Sequence, residues 1–319
     1  MKVRNDIDFT TLSWVKHELD ETLKQSRQAL EAYVEDTEDT SQMRFCATYL
    51  HQVQGTLRMV ELYGASLVVE EMEQVALALL EGKVQAPEDA YAVLMRGIVQ
   101  LPDYLERLQS GHRDIPVVLL PLLNDLRVAR GQKLVSENVL FSPDLNVELP
   151  DSASGPRAPL NDAKLRLAAV KLRKAFEHSL LKWFKSDDNE HIKRLELITN
   201  KLRRATCADS LRRLWWISNG VLRGLKEGEI ETSMTLKLLF GRVDYQIKRL
   251  AEEGETAVAL DPPNELCSSL LYYVAHVEGD QADIRALQET FKLDELLPKA
   301  DELEHAKGSL AGHNKALLG

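Results

Sequence analysis

The stretch RFCATYLHQVQGTLRMVELYG, residues 44–64, decides how this chain is read. On a helix of 3.6 residues per turn, Cys46, Leu50, Val53, Leu57, Val60 and Gly64 form one stripe, the spacing of a face packed on a bundle core. His51, Gln54, Gly55 and Arg58 fall at i, i+3, i+4 and i+7 on a neighbouring stripe, where they meet solvent or a partner. Glycine in a helix interior costs about 0.5–1 kcal/mol relative to alanine. Gly55 lies one turn after His51 and small Ala47 one turn before it, so the pattern reads as access to the imidazole rather than as stability. Leu62, just past the stretch's last polar turn, completes the expected docking face of Ala47, Gln54, Gly55, Arg58 and Leu62.

Working outward, nearly every segment repeats at helical period. A first helix carries Leu12, Val15, Leu19, Leu23, Leu30 and Val34 inward and ends in the acidic run Glu35–Thr40, with Thr40 or Ser41 as cap of the next. A third helix spans Ala65–Leu80 and stops at Glu81-Gly82. A fourth spans Glu88–Leu108, with Pro102 expected to kink it or delimit its last turn, and a very apolar fifth spans Pro116–Ala129. Residues 142–160, SPDLNVELPDSASGPRAPL, lose the helical period and gain prolines, serines and glycine, the composition of a linker. Helices resume at Leu165–Lys185, Glu190–Arg204, Asp209–Glu227, Thr232–Glu253, Glu265–Val277 and Gln281–Glu304, with a loop at Gly254–Asn264. The expected fold is all-α: two bundles of up-down antiparallel helices, at residues 1–141 and 163–319, joined by a Pro/Ser-rich linker at 142–162.

Aligning LHQVQGTLRMV (50–60) with WWISNGVLRGL (215–225) superposes Gly55 on Gly220, Arg58 on Arg223, Gln54 on Asn219 and His51 on Trp216. This reads as an internal repeat in which the second copy, Trp216, Asn219, Gly220 and Arg223, has lost the histidine. Of Trp215 and Trp216, one is expected in the core and one partly exposed, where it would serve as a docking anchor.

Composition narrows the function. An apolar fraction of 44% is enough for sizeable cores, and a net charge of −10 argues against a nucleic-acid partner. The charge is uneven: residues 30–40 are acidic, whereas Lys164–Lys174 with Lys182, Lys185, Lys193 and Arg194 is basic, a solvated helix face or a docking surface for an acidic partner. Cys46, Cys207 and Cys267 stand apart, as small core residues in a reducing compartment. No signal-peptide core and no run of about 18 apolar residues appears, so a cytoplasmic protein without membrane insertion is expected. His178, His191, His276, His305 and His313 show no ligand spacing, and Glu70, Glu71 and Glu73 read as an exposed helix face, so neither a metal site nor a cofactor is expected. No ATP-binding kinase motif, phosphate loop or nucleophile elbow is present, so the chain by itself is not expected to autophosphorylate.

The chemistry open to His51 is nucleophilic. A neutral imidazole nitrogen with a clear approach can attack a phosphoryl group, and Arg58, two turns on, can supply charge to it or to an acidic partner. A histidine and, after three intervening residues, a glycine on an exposed bundle helix, His51 and Gly55 here, resemble the signature of histidine phosphotransfer (Hpt) domains. The fuller stretch HQVQGTLRMVELYGA, with RFC before it, EEMEQV after it and LPLLNDLRVARGQKLVSE as a second block, resembles the N-terminal region of the ChpA/PilL chemosensory hybrid histidine kinases of type IV pilus twitching motility. The related FimL pilus regulators have a similar stretch with glutamine in place of the histidine.

The resemblance implies His51 as phosphoacceptor and Gly55 as the small residue that admits a docking domain. It implies as partners response-regulator receiver domains, the catalytic domain of a kinase in the same or a longer chain, and pilus regulatory proteins, with a place at the cell pole. The resembled pattern usually has a lysine three residues after the histidine, where this chain has Gln54, and small residues where it has Leu57 and Glu61; these departures remove a cation and add a negative charge near a phosphohistidine. Two readings follow: a phosphotransfer module working through His51, or a non-catalytic scaffold of degenerate Hpt bundles. A plain structural domain is the third.

Overall fold

A computed structural model describes residues 9–305 together with 307 and 308. His313 and the first residues of the chain lie outside the described ones. Helices account for the secondary structure, and no strand occurs among the described residues. The chain divides into two compact units, residues 1–140 with 298–319, and residues 141–297.

The first unit is built on four long helices: α1 (Phe9–Glu35), α2 (Thr40–Met59), α3 (Tyr63–Leu80) and α4 (Pro87–Gln109). Short connections make successive helices antiparallel, and α1 packs on α4 as well as on α2, closing the bundle. Asp39, rather than Thr40 or Ser41, caps α2, its carboxylate accepting from the Ser41 amide at 3.1 Å. α4 runs through Pro102 because Leu101, Tyr104 and Leu105 are held in the core on either side of the missing N–H. A 3₁₀ turn (Pro116–Leu119) leads into α5 (Leu120–Ala129), which lies on α3 and α4. Gly64 explains how close this turn comes. A Cβ there would lie 2.5 Å from Cβ of Pro116, so only glycine lets the start of α3 meet it.

Glu70, Glu71 and Glu73 are not the exposed face that their charge suggests. Glu71 is buried and pairs with Arg130 and, at 3.3 Å, with Arg127, pinning α5 to α3. The carboxylate can be buried because two guanidinium groups replace its water.

The second unit holds α6 (Asp151–Ser154), α7 (Asp162–Lys185), α8 (Asn189–Ala205), α9 (Asp209–Glu227), α10 (Met234–Glu253), α11 (Glu255–Leu260), α12 (Asn264–Ala275) and α13 (Ala282–Thr290). Asn161, Asp188 and Ser233 cap α7, α8 and α10. α7 packs between α8 and α10, while α12 packs on both α9 and α10 and α13 lies on α9. α9 is thereby buried almost all round, the condition of a central helix rather than of one side of a bundle.

Three segments depart from expectation. Residues 142–160 are not a free tether: Phe141, Leu145 and Ala153 enter the second core, and the amides of Ala158 and Leu160 donate to the carbonyls of Arg204 and Ala205 at 3.0 and 3.1 Å. The apolar residues at 141, 145, 147 and 149 give the strap something to bury despite its lack of helical period. The last expected helix is broken, α13 ending at Thr290 before Lys292 with a φ of 50°, and a 3₁₀ turn at Leu293–Glu295. From Pro298 on, the described residues belong to the first unit, where Glu302 pairs with Arg113 at 3.1 Å and Leu303 packs on the core.

Burial sorts the cysteines. It pushes the Cys46 thiol up to about 11, against a lowering bond from Ser26, and the Cys267 thiol up to about 12, against the nearby Arg213; Cys207 is exposed. Native protein treated with Ellman's reagent at pH 8 is expected to show one fast thiol, Cys207, and two more only on unfolding. Because the folded state holds the two buried thiol protons more tightly than an ordinary thiol near 9.0 does, stability is expected to fall as pH rises above about 9.

Candidate functional site

α2 shares its buried stripe between α1 and α3 and turns its next stripe outward. His51 stands at the edge of that outward stripe, its side chain 70% exposed. A tight turn returns the chain: Glu61 takes a φ of 62°, the Leu62 amide donates to the Leu57 carbonyl at 2.9 Å, and α3 starts back along α2. Three turns into α3, Glu73 comes up beside His51 with its two carboxylate oxygens 3.1 and 3.2 Å from Nδ1. The Glu73 side chain is only 16% exposed, so it is held in place by its surroundings.

A carboxylate only accepts, so Nδ1 carries the proton in this contact. In the neutral ring the lone pair then sits on Nε2, which has no hydrogen-bond partner among the described residues. The arrangement is that of an oriented nucleophile facing open solvent.

Gly55 extends the opening. A Cβ built there meets nothing within 4 Å, so no internal packing requires the glycine; the space over it lies outside the protein. Arg58, seven residues after His51, and Arg44, seven before it, are exposed, and neither forms an ion pair among the described residues. On a helix these positions lie about 10 Å to either side of the imidazole. Two free guanidinium groups thus bracket it.

Of the expected face, His51, Gly55 and Arg58 are brought together in the open. Ala47, Gln54 and Leu62 are not: all three are buried. Ala47 and Gln54 lie on the α2–α3 side of the helix, where the Gln54 carbonyl accepts from the Ser66 hydroxyl at 3.3 Å, and Leu62 plugs the turn. Leu57 points into the core and not toward His51. Arg44 was legible from its i−7 spacing and was missed; Glu73, 22 residues from His51, needed the α2–α3 packing to be seen.

The second-unit counterparts do not form a face at all. Trp215 and Trp216 are both buried, Trp216 with its ring centroid 6.0 Å from that of Phe291. Leu287 of α13 covers Gly220, the Asn219 amide donates to the Glu196 carbonyl at 3.2 Å, and Arg223 pairs with Glu196 at 3.1 Å and with Asp283. α12, α13 and the turn after them occupy the surface that α2 leaves open. Among the described residues, no group of three or more His, Cys, Asp or Glu side chains is placed to hold a metal ion.

Exchange of Gly55 for alanine is expected to raise the melting temperature by about 1–4 °C, the helix-propensity gain of about 0.5–1 kcal/mol with no clash to offset it. The same change is expected to weaken any partner that packs over His51.

Comparison with known proteins gives two separate family matches along the chain. Residues 11–111 match the Hpt domain family, and residues 161–304 match the family described as FimL scaffold protein second domain. The chain is 29% identical over 316 residues to the scaffold protein FimL of Pseudomonas aeruginosa (strain PAO1), an alignment that takes in 97% of this chain and 54% of the relative. The chain therefore spans about half the length of the curated relative it matches. The exposed histidine face lies inside the Hpt match, and the sealed α9 inside the FimL second-domain match.

Proposed function

We propose that this chain is a signalling scaffold whose Hpt-type first unit docks a receiver-like partner over His51, and whose second unit works as a binding domain without phosphotransfer chemistry. The observation that carries the reading is the open His51–Gly55 surface bracketed by two unpaired arginines, Arg44 and Arg58. A receiver domain presents a carboxylate-rich active site, and unpaired cations around a small-residue opening complement it. Similarity to a protein described as a scaffold supports binding as the main role. Control of type IV pili, a relation to the ChpA/PilL kinases and a place at the cell pole belong to this proposal, as does the role of each site residue. No helix among the described residues is long and apolar enough to cross a membrane.

The His51–Glu73 contact favours one second reading, phosphotransfer itself. Nε2 would attack the phosphorus of a phosphorylated partner, forming the N–P bond as the P–O bond breaks, and Glu73 would balance the positive charge left on the ring. The partner would bring the aspartate and Mg²⁺.

One experiment separates the two. The chain is incubated with a cognate kinase domain, ATP and Mg²⁺, and binding to the receiver is measured alongside. The scaffold reading expects receiver binding that falls at least tenfold in Arg44→Glu/Arg58→Glu, with no acid-labile, base-stable label. Label that vanishes in His51→Gln and drops by roughly ten- to a hundredfold in Glu73→Gln would establish phosphotransfer instead. Absence of receiver binding in the unaltered chain would overturn both.

A further inference from the structure

The strongest feature that the proposed function leaves unused lies on the second unit. α7 and α10 run antiparallel, joined by Arg173–Asp244 at 3.1 Å, by the Arg166 guanidinium on the Ala251 carbonyl at 3.1 Å, and by Trp183 edge-on to Phe240. Their buried stripes are conventional core. Their outer stripes are not conventional surface.

Leu167, Val170 and Leu181 on α7, and Met234, Leu238 and Tyr245 on α10, are each between 44% and 67% exposed. Helical spacing puts the three of α7 on one stripe and the three of α10 on another, both on the solvent side of the seam. Between Leu238 and Tyr245 lies Gly241, where a Cβ would meet nothing within 4 Å, so a partner's backbone can come close. Scattered apolar residues are ordinary on a protein surface, whereas six on two adjoining stripes mark a contact.

Charge says what kind of contact. Asp244 and Glu177 are both within 4.0 Å of Arg173, and Glu252 is 3.9 Å from Lys248, so the carboxylates along the seam already have cations. Lys164, Lys171, Lys174, Lys182 and Lys185 of α7 have no ion pair among the described residues. An apolar strip with an unmatched lysine flank, on a chain of net charge −10, is complementary to an amphipathic helix whose polar side is acidic. An anionic bilayer would attract the same lysines, but it would have to desolvate Glu177 and Glu252, which stand 52% and 63% exposed along the strip.

We infer that the α7–α10 face of the second unit is a docking groove for an acidic amphipathic helix of a partner protein, independent of the His51 face. The test uses the full chain and a fluorescein-labelled helical peptide of about five turns, leucine on one side and glutamate on the rest. A version with lysine for glutamate, and phosphatidylglycerol vesicles, run beside it.

Fluorescence anisotropy is expected to give saturable, salt-weakened binding of the acidic peptide. It is expected to fall at least tenfold in Lys171→Glu/Lys174→Glu/Lys182→Glu and in Leu181→Ser/Leu238→Ser, each with its melting temperature checked, and to stay unchanged in Arg44→Glu/Arg58→Glu. Equal binding of the lysine peptide, tighter binding to the vesicles, loss of binding in the first-unit variant, or self-association of the chain abolished by Leu181→Ser/Leu238→Ser would each overturn the inference.

Discussion

The packing of α3 against α2 is the constraint on which the first unit's chemistry rests. It buries Leu50, Val53 and Leu57, draws Ala47 and Gln54 into the seam, and leaves His51 at the rim. It also delivers Glu73, whose side chain is only 16% exposed, beside the imidazole. A histidine on an isolated amphipathic helix would be a solvated side chain with either ring nitrogen protonated. Beside a fixed carboxylate it has one proton position and one free nitrogen.

The two units show how one local sequence is put to different ends by what packs on it. Gly55 and Gly220 align, as do Arg58 and Arg223, yet one glycine faces open space and the other faces Leu287, and one arginine is free while the other is tied to Glu196 and Asp283. The difference lies in α12 and α13, which have no counterpart on the first unit's α2. Trp216, which aligns with His51, packs against Phe291, so the second unit has core where the first has an exposed face. An imidazole sealed at the depth of Trp216 would need a partner for each nitrogen, whereas an indole ring there packs as core.

Docking suits a fold of this kind. Both proposed contact surfaces use the outward stripes of long helices whose inward stripes are fully committed to a core, so binding need not disturb folding. The His51 face offers small residues and guanidinium groups, the chemistry of a charged, carboxylate-bearing partner; the α7–α10 face offers leucines beside lysines, the chemistry of an amphipathic one. The two proposed faces differ in chemistry and lie on separate units, so they call for two kinds of partner.

Periodicity in the sequence determined the helices, the all-α class and the exposure of His51, Gly55 and Arg58, because a 3.6-residue repeat fixes which side chains share a face. Caps and glycine stops at Asp188, Ser233 and Gly228 were local signals as well. Which faces stay open was decided only by tertiary structure. Polar Gln54 and Asn219 went inside, Glu71 was buried under two arginines, and the Pro-rich strap at 142–160 joined a core, since burial depends on what arrives from elsewhere in the chain and on whether it brings a partner for each polar group. Glu73 is the plainest case: nothing within its own helix relates it to His51, and only the return of α3 along α2 brings carboxylate and imidazole to 3.1 Å.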